Sequence, residues 1–106
     1  MSNDFIIIET TVRDLDEANK IAKILLDKKI AGCVNFQKIV SNYFWQGEIN
    51  HDQEILLSIK SHEKFFPEIC QEIKKNHSYQ IPQIFSIKIQ NIDETYASWL
   101  RSSLKK

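Results

Sequence analysis

The chain has 106 residues, enough for one domain spanning 1–106 with a two-layer core and no disulfide or metal staple. A hydrophobic fraction of 42% and a charged fraction of 26% are ordinary for a folded globular protein. Fourteen basic residues against fourteen acidic ones leave no net charge, which disfavours broad electrostatic capture of nucleic acid or of an anionic membrane.

Met1, Ser2, Asn3 and Asp4 are acidic rather than basic and lead into four apolar residues, which is not the pattern of a signal peptide. No apolar run approaches the roughly 20 residues a membrane helix needs. The chain reads as cytoplasmic, with neither membrane nor nucleic acid as partner. Residues 5–11 are β-branched and apolar, long enough for a strand and too short for a helix. Asp14 then supplies an N-cap, with Glu17 three residues on as its capping-box partner. Leu15, Ala18, Ile21, Ala22 and Leu25 recur at helical spacing and predict a buried stripe on a helix over 14–28. Lys28 and Lys29 suit the helix dipole, and Gly32 follows.

Residues 33–45 read as a strand whose apolar phase changes. Val34 and Phe36 are even, whereas Ile39, Tyr43 and Trp45 are odd, which predicts a bulge near Gln37 and Lys38. Gly47 opens a reversal, after which Ile49, Ile55, Leu57 and Ile59 resume a period of two. The result is a hairpin longer than a small sheet requires, with a tip that overhangs unless a partner covers it. Phe66, Ile69, Cys70 and Ile73 mark a second helix that ends near Asn76, with a loose first turn before Pro67. Residues 82–90 form the last strand. Asp93 caps a third helix whose Tyr96, Trp99, Leu100 and Ser103 share a face.

The order β-α-β-β-α-β plus a C-terminal helix predicts an α+β, ferredoxin-like fold, an antiparallel sheet with helices on one face. Leu56 and Leu57 are neighbours, so apolar side chains point to both faces of the sheet, which suggests subunit contacts. Cys33 and Cys70 have no CxxC or zinc-type spacing and read as free thiols.

Residues 77–84 (His, Ser, Tyr, Gln, Ile, Pro, Gln, Ile) hold more chemistry than a turn requires. A titratable imidazole and a phenol stand where the chain enters a strand. His77 reads either as a metal ligand or as a histidine that fixes this entry by hydrogen bonding; one imidazole is far short of a copper site. His51 and His62 lie among polar residues and read as surface. Tyr79, Trp45 and Lys60 suit a small-ligand cleft, or interface packing. Glu48 and Glu54 have no acid–base partner nearby and read as solvated edge charges. No RNP-type aromatic strand points to RNA, and no glycine-rich anion loop adjoins Arg13, so no catalytic residue is assigned.

In that order of elements the sequence resembles the CutA family of divalent-cation tolerance proteins. Six blocks carry the resemblance, over nearly the whole chain. Glu9, Thr10, Thr11 and Val12 resemble the end of the family's first strand. Ile30, Ala31, Gly32, Cys33, Val34 and Asn35 resemble its LAACVN stretch, and Tyr43, Phe44, Trp45, Gln46, Gly47 and Glu48 its YxWxGxxxxxxE hairpin. Glu54, Leu57 and Lys60 match the following strand, residues 77–84 the HPYxxPEI segment, and residues 96–100 the closing helix. The resemblance implies a homotrimer similar in architecture to PII signalling proteins, an association with metal-ion tolerance, and copper binding. It implies no enzymatic reaction.

The chain departs from the pattern at informative places. Ser78 replaces the usual Pro and Gln83 the usual Glu, and Thr10 and Asn76 stand where some members carry a cysteine and a second histidine. Of a copper site built from such groups only His77 remains. The expected ligand cleft comprises Trp45, Lys60, His77, Tyr79 and Gln83, drawn together across subunits. Its ligand is copper or another divalent cation, weakly held and not needed for folding. The alternative is a PII-like signalling or scaffold trimer that binds a small molecule between subunits.

Overall fold

The computed structural model describes residues 3–106; Met1 and Ser2, on which part of the N-terminal reading rests, lie outside the described residues. The chain runs β1 (Phe5–Val12), α1 (Leu15–Asp27), β2 (Cys33–Trp45), β3 (Glu48–His62), α2 (Phe66–Asn76), β4 (Phe85–Lys88) and α3 (Glu94–Ser103), with a single 3-10 turn, Glu63–Phe65, leading into α2. The four strands form one antiparallel sheet in the order β2-β3-β1-β4. β1 and β3 are central and β2 and β4 are the edges.

Alternation along β1 gives each face of the sheet its own cover. Ile6, Ile8 and Val12 face α1 and α2 with Ile55, Leu57 and Ile59 of β3. They form the main core with Ala18, Ile21 and Leu25 of α1 and Ile69 and Ile73 of α2. Each fully buried Ile or Leu contributes about 1.5–3 kcal/mol over exposure. Phe5 points the other way and packs with Ala97 and Leu100 of α3. The third helix therefore covers the opposite face, at the end of the sheet where β1 begins. Gly32 permits this: a Cβ there would stand 2.4 Å from Leu100 Cδ1.

Several local expectations change. Leu15 is 45% exposed and outside the α1 stripe. Asp14 caps α1 by accepting the Glu17 amide at 2.9 Å, yet the Glu17 carboxylate does not return the bond. It turns to the loop after α2, accepting the Ser78 amide at 3.3 Å. The last strand is only four residues long, pairing with Ile6 to Glu9 of β1. In α3, Tyr96 and Trp99 are exposed, and the buried face is Ala97 and Leu100.

No bulge interrupts β2. Its register with β3 is continuous from Cys33 opposite Lys60 to Trp45 opposite Glu48. The phase of apolar residues changes because the covered face changes. β1 ends opposite Ile55, so beyond it β2 and β3 continue alone as a two-stranded ribbon. Val34 packs against the helices' core, while Tyr43 and Trp45 belong to a cavity on the other face of the sheet. The ribbon closes through Gln46 (φ 53°) and Gly47 (φ 80°), two successive left-handed residues as a tight hairpin of this twist requires. It stretches the molecule to 46 Å with a radius of gyration of 14.5 Å, against about 13 Å for a compact chain of this length.

Candidate functional site

The loop between α2 and β4 folds back over the root of the ribbon, and His77 holds it there. The imidazole side chain is fully buried. Its Nδ1 accepts the Tyr79 amide at 3.0 Å, and its Nε2 lies 2.7 Å from the carbonyl oxygen of Thr11. These two bonds assign the neutral tautomer with the proton on Nε2, donated to Thr11. Glu17 Oε1 stands 3.4 Å from Nδ1, and Arg13 Nε lies 3.5 Å from Glu17 Oε2. Thus His77 ties the end of β1 to the loop, and Glu17, by accepting the Ser78 amide, ties the first turn of α1 to it.

Tyr79 stacks obliquely on His77, ring centroids 4.8 Å apart, and its hydroxyl donates to Glu54 Oε2 at 2.7 Å. Burial, and then the Glu54 carboxylate it bonds, push the Tyr79 phenol well above its ordinary value. Tyr43 on the ribbon repeats the arrangement more openly, donating to Asp52 Oδ2. That hydrogen bond, ahead of its slight burial, raises the Tyr43 phenol too. Both tyrosines stay protonated as donors across the neutral range.

Between loop and ribbon lies a cavity of about 530 Å³. Tyr43, Trp45, Tyr79 and Ile81 form its apolar walls; Thr11, Ser41, Asn42, Glu54, Gln80 and Gln83 supply polar atoms. Three of the five expected cleft residues, Trp45, Tyr79 and Gln83, therefore meet within one subunit. His77 stands behind the wall as its support. Lys60 is elsewhere: it pairs with Cys33 and Ile7, six residues along β3 from Glu54, or about 20 Å. Its ammonium lies over the Tyr96 ring, 5.8 Å from the centroid.

As a metal ligand His77 would have to give up one of its two hydrogen bonds. Among the described residues no three His, Cys, Asp or Glu side chains converge as a metal site. Thr10, at one position of interest for copper, is buried in β1 with a hydroxyl that has no hydrogen-bond partner; Asn76, at the other, donates to the Glu72 carbonyl at 2.8 Å. His51 is exposed and bonded to Asn42. His62 accepts the Lys64 amide at 3.1 Å, at the start of the 3-10 turn.

Glu54 is the residue that sequence reasoning misjudged. It is 7% exposed, not a solvated edge charge, while Glu48 is exposed. A signal was present. The alternation that buries Ile55, Leu57 and Ile59 on one face puts Glu54 on the other, alongside Asp52, where the odd-numbered aromatics of β2 also point.

Residues 6–103 match the model of a family described as CutA1 divalent ion tolerance protein. The divalent-cation tolerance protein CutA of Pyrococcus horikoshii is 34% identical over 95% of this chain and 99% of its own. That of Thermus thermophilus is 36% identical over 92% and 95%. Among solved structures, CutA1 from Oryza sativa superposes with a TM-score of 0.94 at 29% identity, covering 99% of this chain and 97% of that one. CutA from Archaeoglobus fulgidus gives 0.93 at 35% identity, covering 95% and 99%. The names of these relatives associate the family with tolerance of divalent cations. With nearly the whole length matched in sequence and in fold, the chain belongs to the CutA1 divalent ion tolerance family.

Proposed function

We propose that the chain serves divalent-cation tolerance as a cytoplasmic homotrimer that catalyses no reaction and binds copper or a similar divalent cation only weakly. The observation that carries the trimer is a pair of unlike apolar patches at opposite edges of the sheet. On the ribbon Val40, Phe44 and Ile49 are 67%, 72% and 59% exposed; on the other edge Phe85 and Ile87 of β4 are 42% and 48% exposed. Patches of this kind belong to interfaces. Contact between unlike surfaces generates a closed ring when the rotation permits, and covering the ribbon removes an open sheet edge. Light scattering should give three times the chain mass of 12.5 kDa; a mass near one chain at micromolar concentration ends this reading.

Weak metal binding follows from the donors. His77 has both nitrogens engaged, and Gln83 brings an amide where a carboxylate would bind a hard cation better. Equilibrium dialysis with copper(II) and zinc(II) tests this, with His77→Ala alongside wild type. Tight binding that is lost in the variant refutes it. Chelator should leave the melting temperature unchanged, because assembly rather than metal stabilises the subunit.

The cavity supports a second reading, a PII-like trimer that senses a small molecule. Pockets that hold small ligands are mostly apolar with a few placed polar groups, and about 530 Å³ walled by three aromatic rings meets that description.

A further inference from the structure

The small-ligand reading leaves the ligand's chemistry open, and the cavity narrows it. Three aromatic side chains, Tyr43, Trp45 and Tyr79, line it, and no lysine, arginine or histidine does so among the described residues. Its charge is negative. Glu54 lines it directly and Asp52 stands behind the Tyr43 hydroxyl. In each carboxylate one oxygen accepts a tyrosine hydroxyl. No cation pairs with Glu54 or Asp52 among the described residues, although Glu54 is 7% exposed. A carboxylate so far out of water with no cation in contact is unusual, since buried charges are normally paired. Arg13 and Lys38, which line a neighbouring hollow with Glu54, form no ion pair with it; Arg13 pairs with Asp14 and Glu17 instead.

An anion is the wrong guest for such a site. A phosphate or a nucleotide would meet carboxylates with no basic group to offset them. A bare divalent cation fits little better, for it needs several oxygen or nitrogen ligands converging on a point, and no such group of three exists among the described residues. An organic ammonium fits on both counts. Aromatic faces attract a cation through their quadrupoles, most strongly out of water, and the Glu54 carboxylate supplies the missing counter-charge through a charge-assisted hydrogen bond.

Resting on the small-ligand reading above, we propose that the cavity between ribbon and loop is a binding site for a small organic ammonium ion carrying an apolar group. The ammonium sits at Glu54, the apolar part lies against Trp45 and Tyr79, and Gln83 offers its amide oxygen to a remaining N–H. The source of the ammonium is a free small molecule rather than a lysine of a second copy.

Isothermal titration with three matched probes tests this on the protein in its native assembly. They are 2-phenylethylammonium, the neutral 2-phenylethanol and the anionic phenylacetate. The ammonium should bind saturably, one per chain, at least tenfold more tightly than the alcohol, with phenylacetate silent. Glu54→Gln should remove that tenfold preference for the ammonium over the alcohol. Trp45→Leu, at a partly exposed position of the ribbon, should weaken the ammonium severalfold and serves if the first variant fails to fold. Equal binding of alcohol and ammonium overturns the charge assignment while the small-ligand reading survives. Silence from all three probes overturns both. Binding that occurs only as light scattering shows the assembly falling apart marks the cavity as the seat of a neighbour's lysine, which refutes a free ligand.

Discussion

The two halves of this sheet are built from similar residues and live under different rules. Near the start of β1, side chains alternate into a core on one face and onto α3 on the other; Ile8, Leu57 and Ile59 are 0% exposed. Beyond Ile55 the same two strands continue without β1, and Val40, Phe44 and Ile49 stand in solvent. Apolar residues in the covered half contribute to folding of the chain itself. Those of the ribbon contribute only when something covers them, since a two-stranded hairpin is marginal in water alone. The site lies where the halves meet, with its rigid support, His77, in the first and its aromatic wall, Trp45, in the second.

The sharpest way to break that contrast is a matched pair of truncations. Leu57→Ala leaves a cavity in the core and should destabilise the protein by about 2–5 kcal/mol in urea titration. Phe44→Ala should change the stability of the isolated chain by less than about 0.5 kcal/mol while lowering the mass that light scattering is expected to give for the proposed trimer. Equal losses of chain stability from both would erase the distinction between the halves.

His77→Ala should come next, at about 2–4 kcal/mol. It removes a buried donor and acceptor together and leaves the Thr11 carbonyl and the Tyr79 amide unpaired, each worth about 1–3 kcal/mol when stranded. Because the imidazole anchors the loop, amide hydrogen exchange in residues 77–84 should also rise. Lost stability with unchanged exchange in that loop would mean that His77 packs without anchoring.

The covered half was largely legible in the sequence, because each face there has one fate. β-branched residues at period two, the Asp14 and Asp93 caps and the apolar stripes of α1 and α2 all translate directly into cover. The ribbon was not. Its apolar phase switches with the element covering it, and reading that switch as a bulge assumes a single covered face. Lys60 belongs with Trp45 and Tyr79 only in a cleft drawn together across subunits, since within one chain the two-residue turn at Gln46 and Gly47 fixes Lys60 opposite Cys33. Register arithmetic gives that separation within the chain without a structure. The pairing of Tyr79 with Glu54 could not be read, since it joins a loop to a strand 25 residues away with no periodic pattern between them.

Tyr79→Phe tests that pairing and should cost about 1–3 kcal/mol, the usual loss for a hydrogen bond to a charged group. Its pH dependence has a definite sign. The phenol is raised in the folded protein above its ordinary value of 10.0, so above about pH 10 the unfolded chain releases a proton that the folded chain retains. The unfolded state then binds fewer protons, and stability falls as pH rises. Below pH 10 the contribution is complete. Denaturant titrations should show wild type losing stability above pH 10 more steeply than Tyr79→Phe; parallel curves would mean the hydroxyl titrates alike in both states.

The smallest effect should run the other way. Thr10 is completely buried in β1, opposite Leu57, and its hydroxyl oxygen is the one buried side-chain polar atom without a hydrogen-bond partner among the described residues. Ser41, on the ribbon, stands at the wall of an open cavity, where water reaches it. An unpaired hydroxyl withdrawn from water opposes folding, and valine keeps the branched shape that suits a strand while removing the polar atom. Thr10→Val should therefore stabilise the protein by about 1 kcal/mol in urea titration. Ser41→Val, with solvent already satisfying the hydroxyl, should stay within about 0.5 kcal/mol of wild type. If Thr10→Val destabilises instead, the hydroxyl has a partner in solution, most simply a bound water between β1 and the helices. The covered half would then be wetter than its exposure implies, and the contrast with the ribbon one of degree.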